Sequence, residues 1–197
     1  MNKRQLAEIL YELGLIKIGS FKLSSGKQSP FYIDLRRLIE YPQLLKKIAR
    51  ALFERAKSRY EFDVVAGVAT GGIPIAAYIS CLFEIPMAYI RKKEKKYGTE
   101  KIIEGDVKNK RVLLVDDVVT TGASLEHAAK AIRESYGQIN YALVIVDREQ
   151  GGKDRLNKIN VILDSLITAR EIFEVLFQEG KIEGKIFEKI MKYLTTT

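Results

Sequence analysis

The run Val112 to Val115 has no polar alternation and therefore predicts a strand covered on both faces, as in a parallel sheet. Similar runs fall near 63 to 68 (DVVAGV), 87 to 91 (MAYIR), 141 to 147 (YALVIVD) and 159 to 163 (INVIL). Helical patterns separate the first strand from the second and the third from the fourth; in LEHAAKAIRE, Leu125, Ala128, Ala129 and Ile132 share one face. That alternation predicts an α/β fold of right-handed βαβ units, with a five-stranded, mainly parallel sheet flanked by helices. Ahead of the core, Asn2 and Gln5 have capping-box spacing before the stripe Leu6, Ile9, Leu10, Leu13, so a helix should open the chain and end near Gly14. The stretch from Ile16 to Leu35 has short β-like runs around SSGKQSP and predicts a small flap built as a hairpin or meander. Pro42 should begin a helix through about Tyr60, with Leu44, Leu45, Ile48, Ala51 and Leu52 at helical spacing. Thr168 and Glu171 form another capping box before Ile172, Val175 and Leu176, and a last helix carries Ile186, Ile190 and Leu194. A single domain is expected: residues 1–40 as N-terminal helix and flap, 41–165 as the core, 166–197 as C-terminal helices.

Composition narrows the class. With 197 residues and 47% hydrophobic content the chain can bury a full core, and it has no apolar run of membrane-spanning length. The N-terminus is too acidic and amphipathic for a secretory signal, so a cytoplasmic protein without membrane contact is expected. The lone cysteine, Cys81, is expected to be a buried small residue, and the lone histidine, His127, a surface one. Together they leave no basis for a Cys/His zinc cluster. The net charge is +8, and Arg91 to Lys96 alone, with five basic residues and one acid, carries +4. Such a run suits a solvated face, a nucleic-acid patch or a clamp for a polyanionic small molecule.

Chemistry gathers where apolar runs end. In RVLLVDDVVTTGAS, Asp116 and Asp117 fall at the strand's exit, and open α/β sheets bind ligands beyond the carboxyl ends of their strands. Thr120, Thr121, Gly122, Ala123 and Ser124 then lead into a helix, which makes a cradle of backbone N–H groups for an anion. Two acids beside an anion site suit a ribose diol or Mg²⁺; the plainer alternative is that they only cap the helix and close the turn. GVATGGIPIAA, with Gly67, Gly71 and Gly72, is a second strand, glycine turn and helix. RKKEKKYGTEKIIEG predicts a mobile surface loop, and YALVIVDREQGG ends a strand at Asp147 and Arg148. Arg148 either pairs with Asp147 or Glu149 or meets a ligand carboxylate.

The acid-pair segment resembles the phosphoribosyl pyrophosphate (PRPP) motif of type I phosphoribosyltransferases. The loop, with Arg91, Lys92, Lys95, Tyr97 and Gly98, resembles the catalytic loop of the orotate phosphoribosyltransferase family. The resemblance implies the type I phosphoribosyltransferase fold with its N-terminal flap. It also implies transfer of phosphoribosyl from PRPP to N1 of orotate, giving orotidine 5′-monophosphate and pyrophosphate in UMP synthesis. By the same resemblance, Lys95 is catalytic, and Arg91, Lys92, Lys95, Tyr97, Thr70, Gly71, Asp116, Asp117, Val118, Val119 and Thr120 to Ser124 bind PRPP. Tyr32, Ile33, Thr120 and Arg148 would bind orotate, and Asp116 and Asp117 would reach Mg²⁺ through water. Loop closure over the partner subunit's site would make a homodimer the working unit, with no nucleic-acid partner. Two departures remain: Ser24 and Gly71 stand where lysines are common in the bacterial pattern. Alternatives are transfer to another base, a PRPP-sensing regulator that binds nucleic acid, and a receiver domain with a phosphoacceptor aspartate.

Overall fold

The computed structural model describes residues 1–22, 26, 28–92 and 102–196. Helix α1 (Lys3–Glu12) begins at a capping box in which Asn2 and Gln5 satisfy each other's backbone N–H groups. Strands β1 (Ile16–Lys22) and β2 (Gln28–Ile33) pair antiparallel, as the hairpin pattern predicts, and a 3-10 helix (Leu35–Glu40) leads into α2 (Pro42–Lys57). The core follows as β3 (Val64–Val68), α3 (Gly72–Phe83), β4 (Met87–Ile90), β5 (Ile103–Glu104), β6 (Arg111–Val119), α4 (Ala123–Glu134), β7 (Gln138–Asp147), α5 (Gly152–Asn157) and β8 (Ile162–Thr168). Helices α6 (Ala169–Gln178) and α7 (Gly184–Thr196) close the chain. No helix among the described residues is long and apolar enough to cross a membrane.

The main sheet has the order β5-β4-β3-β6-β7-β8, parallel except for the β4–β5 pair. After β3 the chain moves outward to β4 and then returns to β6 on the other side of β3. The carboxyl ends of β3 and β6 therefore flank a topological switch point, where a crevice opens. The alternation of side chains assigns the two faces. Val65, Leu113, Val115, Leu143 and Ile145 face α1, α2, α3, α6 and the flap, while Val64, Ala66, Val112, Leu114 and Val144 face α4 and α5. Both faces are buried, which is why these strands read as unbroken apolar runs.

Three expectations change. A sixth strand, β5, joins the sheet edge; two residues are too short to register as a pattern. The last strand is not at 159–163 but at Ile162–Thr168, because Ile159 and Val161 bond back to Leu156 and Asn160 turns with φ +55° to close α5. Cys81 is exposed, since the buried side of α3 consists of Gly72, Ile75, Ala76 and Ile79 and Cys81 falls on the opposite side.

One polar cluster ties α2 to the far strands. Arg55 donates to both oxygens of Asp164 at 2.7 and 2.8 Å, Arg59 pairs with the same carboxylate, and the Tyr141 hydroxyl donates to it at 3.1 Å. Burial pushes the Asp164 carboxyl up, but Arg55 and the Ser165 amide outweigh that and hold it below the ordinary 3.8. Asp164→Asn is expected to destabilise the protein by about 1–2 kcal/mol at neutral pH, a figure already reduced for solvent screening. Because the folded carboxyl titrates below its unfolded value, its contribution holds above pH 3.8 and is lost as pH falls through the folded pKa. Chemical denaturation of wild type and variant across pH 2.5 to 7 measures whether the difference closes in acid.

Candidate active site

The carboxyl ends of β4, β3, β6 and β7 lie along one edge, and the turns that leave them form the site. After β3, residues 69–72 cross toward β6 at very short range. A Cβ on Gly67 would lie 2.5 Å from the Gly72 carbonyl oxygen, and one on Gly72 only 2.3 Å from that of Val115. Only glycine permits this backbone-on-backbone contact. It sets Gly71 against Asp117, where a Cβ would meet the carboxylate carbon at 2.2 Å. The peptide between Ala69 and Thr70 is cis.

The acids sit inside β6 rather than beyond it: pairing with β7 continues to Val119 opposite Asp147. Each accepts the next amide, Asp117 N–H to Asp116 Oδ1 and Val118 N–H to Asp117 Oδ1, both at 2.9 Å. Asp116 is 8% exposed, and burial, with the charge of Asp117 beside it, pushes its carboxyl well above the ordinary range. Around them, Asp116 and Val118 to Leu125 line a cavity of about 220 Å³. Gly122 turns there with φ +77° and opens α4 without any side-chain cap, and α3 likewise starts uncapped at Gly71. Two helix N-termini thus leave N–H groups facing the crevice, whereas α1 and α6 are closed by capping boxes. The cap-only reading of the acids and hydroxyls finds no support, since neither Asp116 nor Asp117 caps a helix.

Beside β6, Arg148 follows β7 directly, its N–H donating to the Val119 carbonyl at 3.0 Å. Its side chain is buried, lies 4.7 Å from the Phe31 ring centre and donates from Nη2 to Ser29 Oγ at 3.2 Å. Nε has no partner. Neither neighbouring acid takes it: Asp147 faces Lys153 at 3.6 Å and Glu149 faces Arg170 at 3.8 Å. Burial lowers its pKa from the ordinary arginine value, yet a guanidinium stays charged at neutral pH. A buried cation without an acid is costly unless a ligand supplies the anion.

The comparisons with known proteins meet this geometry. A sequence model of the phosphoribosyl transferase domain matches residues 36–177. An orotate phosphoribosyltransferase from Saccharolobus solfataricus is 45% identical over 188 residues, 95% of each chain. The chain belongs to the orotate phosphoribosyltransferase family. Among solved structures, the orotate phosphoribosyltransferase from Aeropyrum pernix superposes with a TM-score of 0.75 at 33% identity, covering 90% of this chain and 99% of that one. The UMP synthase of Leishmania donovani gives 0.88 at 30% identity over 99% of this chain, which spans 42% of that longer protein.

The structure brings most of the residues singled out by the family resemblance to this one edge. Thr70 and Gly71, Asp116 to Ser124, and Arg91 with Lys92 surround the crevice; the last two share a second hollow of about 290 Å³ with Ala123, Ser124 and His127. His127 is exposed, as expected. Tyr32 is half-buried at the flap, and the Ile33 side chain is in the core, so Ile33 offers only its backbone to the crevice, as do the buried Val119 and the packed Val118. Lys95, Tyr97 and Gly98 lie outside the described residues, as does Ser24. The two ends of that loop are pinned together: Arg91 N–H donates to Ile102 O at 2.9 Å and its guanidinium reaches Glu104 at 3.4 Å. Sequence reasoning missed Ser29, Phe31, Asp34 and Arg36. Ser29 is 119 residues from the arginine it contacts, and nothing in the local pattern marks it.

Mg²⁺ fits the donor set in a limited way. Among the described residues no group of three or more His, Cys, Asp or Glu could hold a metal, so a resident all-protein site is not built. Two adjacent carboxylates, one of them disfavoured as an anion by burial, suit a hydrated Mg²⁺ that arrives on substrate phosphates.

The glycines separate fold from function. Gly72→Ala meets a backbone carbonyl that cannot rotate away and should cost at least about 2 kcal/mol of stability. Gly71→Ala meets first the Asp117 carboxylate, a side chain that can turn aside, so it should cost less stability than Gly72→Ala while activity falls. Denaturant midpoints and initial rates of the two variants measure the contrast.

Proposed function

We propose that this chain transfers the phosphoribosyl group of PRPP to N1 of orotate, yielding orotidine 5′-monophosphate and pyrophosphate in UMP synthesis. The observation that carries the orotate assignment is Arg148, a buried guanidinium that neither neighbouring acid takes, next to the cradle at the end of β6. A pyrimidine bearing a carboxylate supplies the missing acceptor. In the reaction the bond from C1′ to the pyrophosphate oxygen breaks, the bond from orotate N1 to C1′ forms, and orotate gives up its N1 proton. The sugar gains oxocarbenium character as negative charge builds on the leaving group.

The roles are those implied by the family resemblance, and the positions of the described residues support them. Thr120 to Ser124 and the open start of α4 hold the 5′-phosphate, and Thr120 also borders the base. Asp117 and Asp116 take the ribose hydroxyls, and Thr70 with Gly71 presents backbone to the pyrophosphate. Lys95 is the catalytic residue, and with Arg91, Lys92 and Tyr97 it meets the charge that develops on pyrophosphate as the loop excludes water. Asp116 and Asp117 would hold Mg²⁺ arriving with PRPP, and the ion would offset pyrophosphate charge. Tyr32 and the backbone of Ile33 cover orotate from the flap. The working unit is a cytoplasmic homodimer in which the loop serves the partner's site. Helix α3 is apolar around its circumference and leaves Ile73, Ala77 and Leu82 only half-buried, which suits a subunit contact.

Mixing the protein with orotate, PRPP and Mg²⁺ should consume the orotate absorbance, and consumption of another base instead would sink the acceptor assignment. Lys95→Ala should lower kcat by at least about tenfold with an unchanged melting temperature. Arg148→Met removes a buried cation that lacks an acid, so it should raise Tm while raising the KM for orotate at least about tenfold. A fall in Tm together with an unchanged orotate KM would assign Arg148 to the fold instead.

A further inference from the structure

A second arginine, on the flap side of the site, has a different setting. Arg36 lies in the 3-10 helix Leu35–Glu40, which packs against β6. Its Nε donates to Asp34 Oδ1 at 2.7 Å, and its Nη2 donates to Asp34 Oδ2 at 2.9 Å and to the Tyr32 hydroxyl at 3.2 Å. A guanidinium has five N–H donors, so both hydrogens of Nη1 remain without a partner among the described residues. The side chain is 60% exposed. An exposed Arg–Asp pair is ordinarily worth little to stability.

Two features set this pair apart from an ordinary surface contact. The bidentate bond to Asp34 and the bond to Tyr32 together fix the plane of the guanidinium, so its free edge is aimed before any ligand arrives. In addition, the 3-10 helix that carries Arg36 packs against β6, the strand of the acid pair, and the charge of Asp117 contributes weakly to holding the guanidinium protonated. The neighbouring Arg37 has the same bidentate geometry, with Glu40 at 2.8 and 2.9 Å, but no bond to Tyr32 among the described residues. A polyanion entering beside two carboxylates needs cations near them, and Lys92, just past the end of β4, and Arg36, on the 3-10 helix packed against β6, are both within electrostatic reach of the pair.

We propose that Arg36 is a donor-binding residue, whose Nη1 edge takes an oxygen of the pyrophosphate group of PRPP while Asp34 and the Tyr32 hydroxyl hold it in place. This rests on the phosphoribosyl-transfer reading and adds a pyrophosphate contact from the same subunit's flap. Since the guanidinium is also bonded to Tyr32, it joins the donor side of the crevice to the side assigned to the base.

Titration calorimetry of the full chain with PRPP and Mg²⁺, with pyrophosphate and Mg²⁺, and with ribose 5-phosphate tests it. R36Q should weaken PRPP and pyrophosphate by about tenfold, about 1.4 kcal/mol, and ribose 5-phosphate by less than about twofold. R36K should fall between, because it keeps the charge but not the fork. Equal PRPP affinity in wild type and R36Q overturns the proposal, as does an equal loss for ribose 5-phosphate, and so does a fall in Tm with unchanged affinity. Binding is read without an acceptor. A wild-type protein that binds PRPP yet consumes no orotate therefore fails the acceptor assignment alone, and the R36Q ratio still decides the role of Arg36.

Discussion

The contact between Gly72 and the Val115 carbonyl is the constraint on which the site depends. With no Cβ at Gly67 or Gly72, the turn after β3 lies flat against the backbone of β6, and no side chain separates them. The same contact carries Gly71 under Asp117 and starts α3 at the crevice rather than above it. Had the turn stood off by the thickness of a methyl group, the acid pair and the first uncapped helix would belong to separate surfaces. The position where a lysine is common in the bacterial pattern is occupied here by a glycine whose Cβ space is filled by the Asp117 carboxylate. A side chain at 71 therefore requires a different placement of that acid.

Electrostatics at this edge is a balance among groups that would be unfavourable alone. Asp116 is buried beside another carboxylate and is pushed toward its neutral form. Against that stand two helix N-termini without side-chain caps, Lys92 at the end of β4 and Arg36 on the flap. A ligand with phosphates at two points and a diol between them satisfies the N-termini and the acids at once.

The flap and the carboxyl-terminal helix complete the other half. Ser29 and Phe31 hold Arg148 from above, and Phe31 in turn meets Phe173 and Tyr193 with ring centres at 4.8 and 5.9 Å. Gln150 donates to the Tyr193 hydroxyl at 2.9 Å, so α7 packs behind the pocket as well as over the flap. A two-stranded hairpin alone is marginal in water, and here its inner face is buried against helices from both ends of the chain. The pocket assigned to the base is thereby built from segments more than a hundred residues apart.

Much of this was legible in the sequence, for physical reasons. Strands buried on both faces must be apolar throughout, capping boxes must place Asn2 before Gln5 and Thr168 before Glu171, and a phosphate-binding turn must use small residues. Each of these constraints is local and leaves a local mark. The resemblance of the acid-pair segment to a known motif supplied the donor, that of the Lys-rich loop the leaving-group chemistry, and Arg148 with the flap pointed to the acceptor. Tertiary structure decided what local pattern cannot carry. It extended β6 past the acids, moved the last strand from 159–163 to Ile162–Thr168 and turned Cys81 outward. It also left Arg148 without an acid although two stand within two residues of it. It brought Arg36 to the acid pair and placed the Asp117 carboxylate where a side chain at position 71 would lie. Those outcomes depend on which backbone passes over which, and a one-dimensional pattern of side chains does not record that.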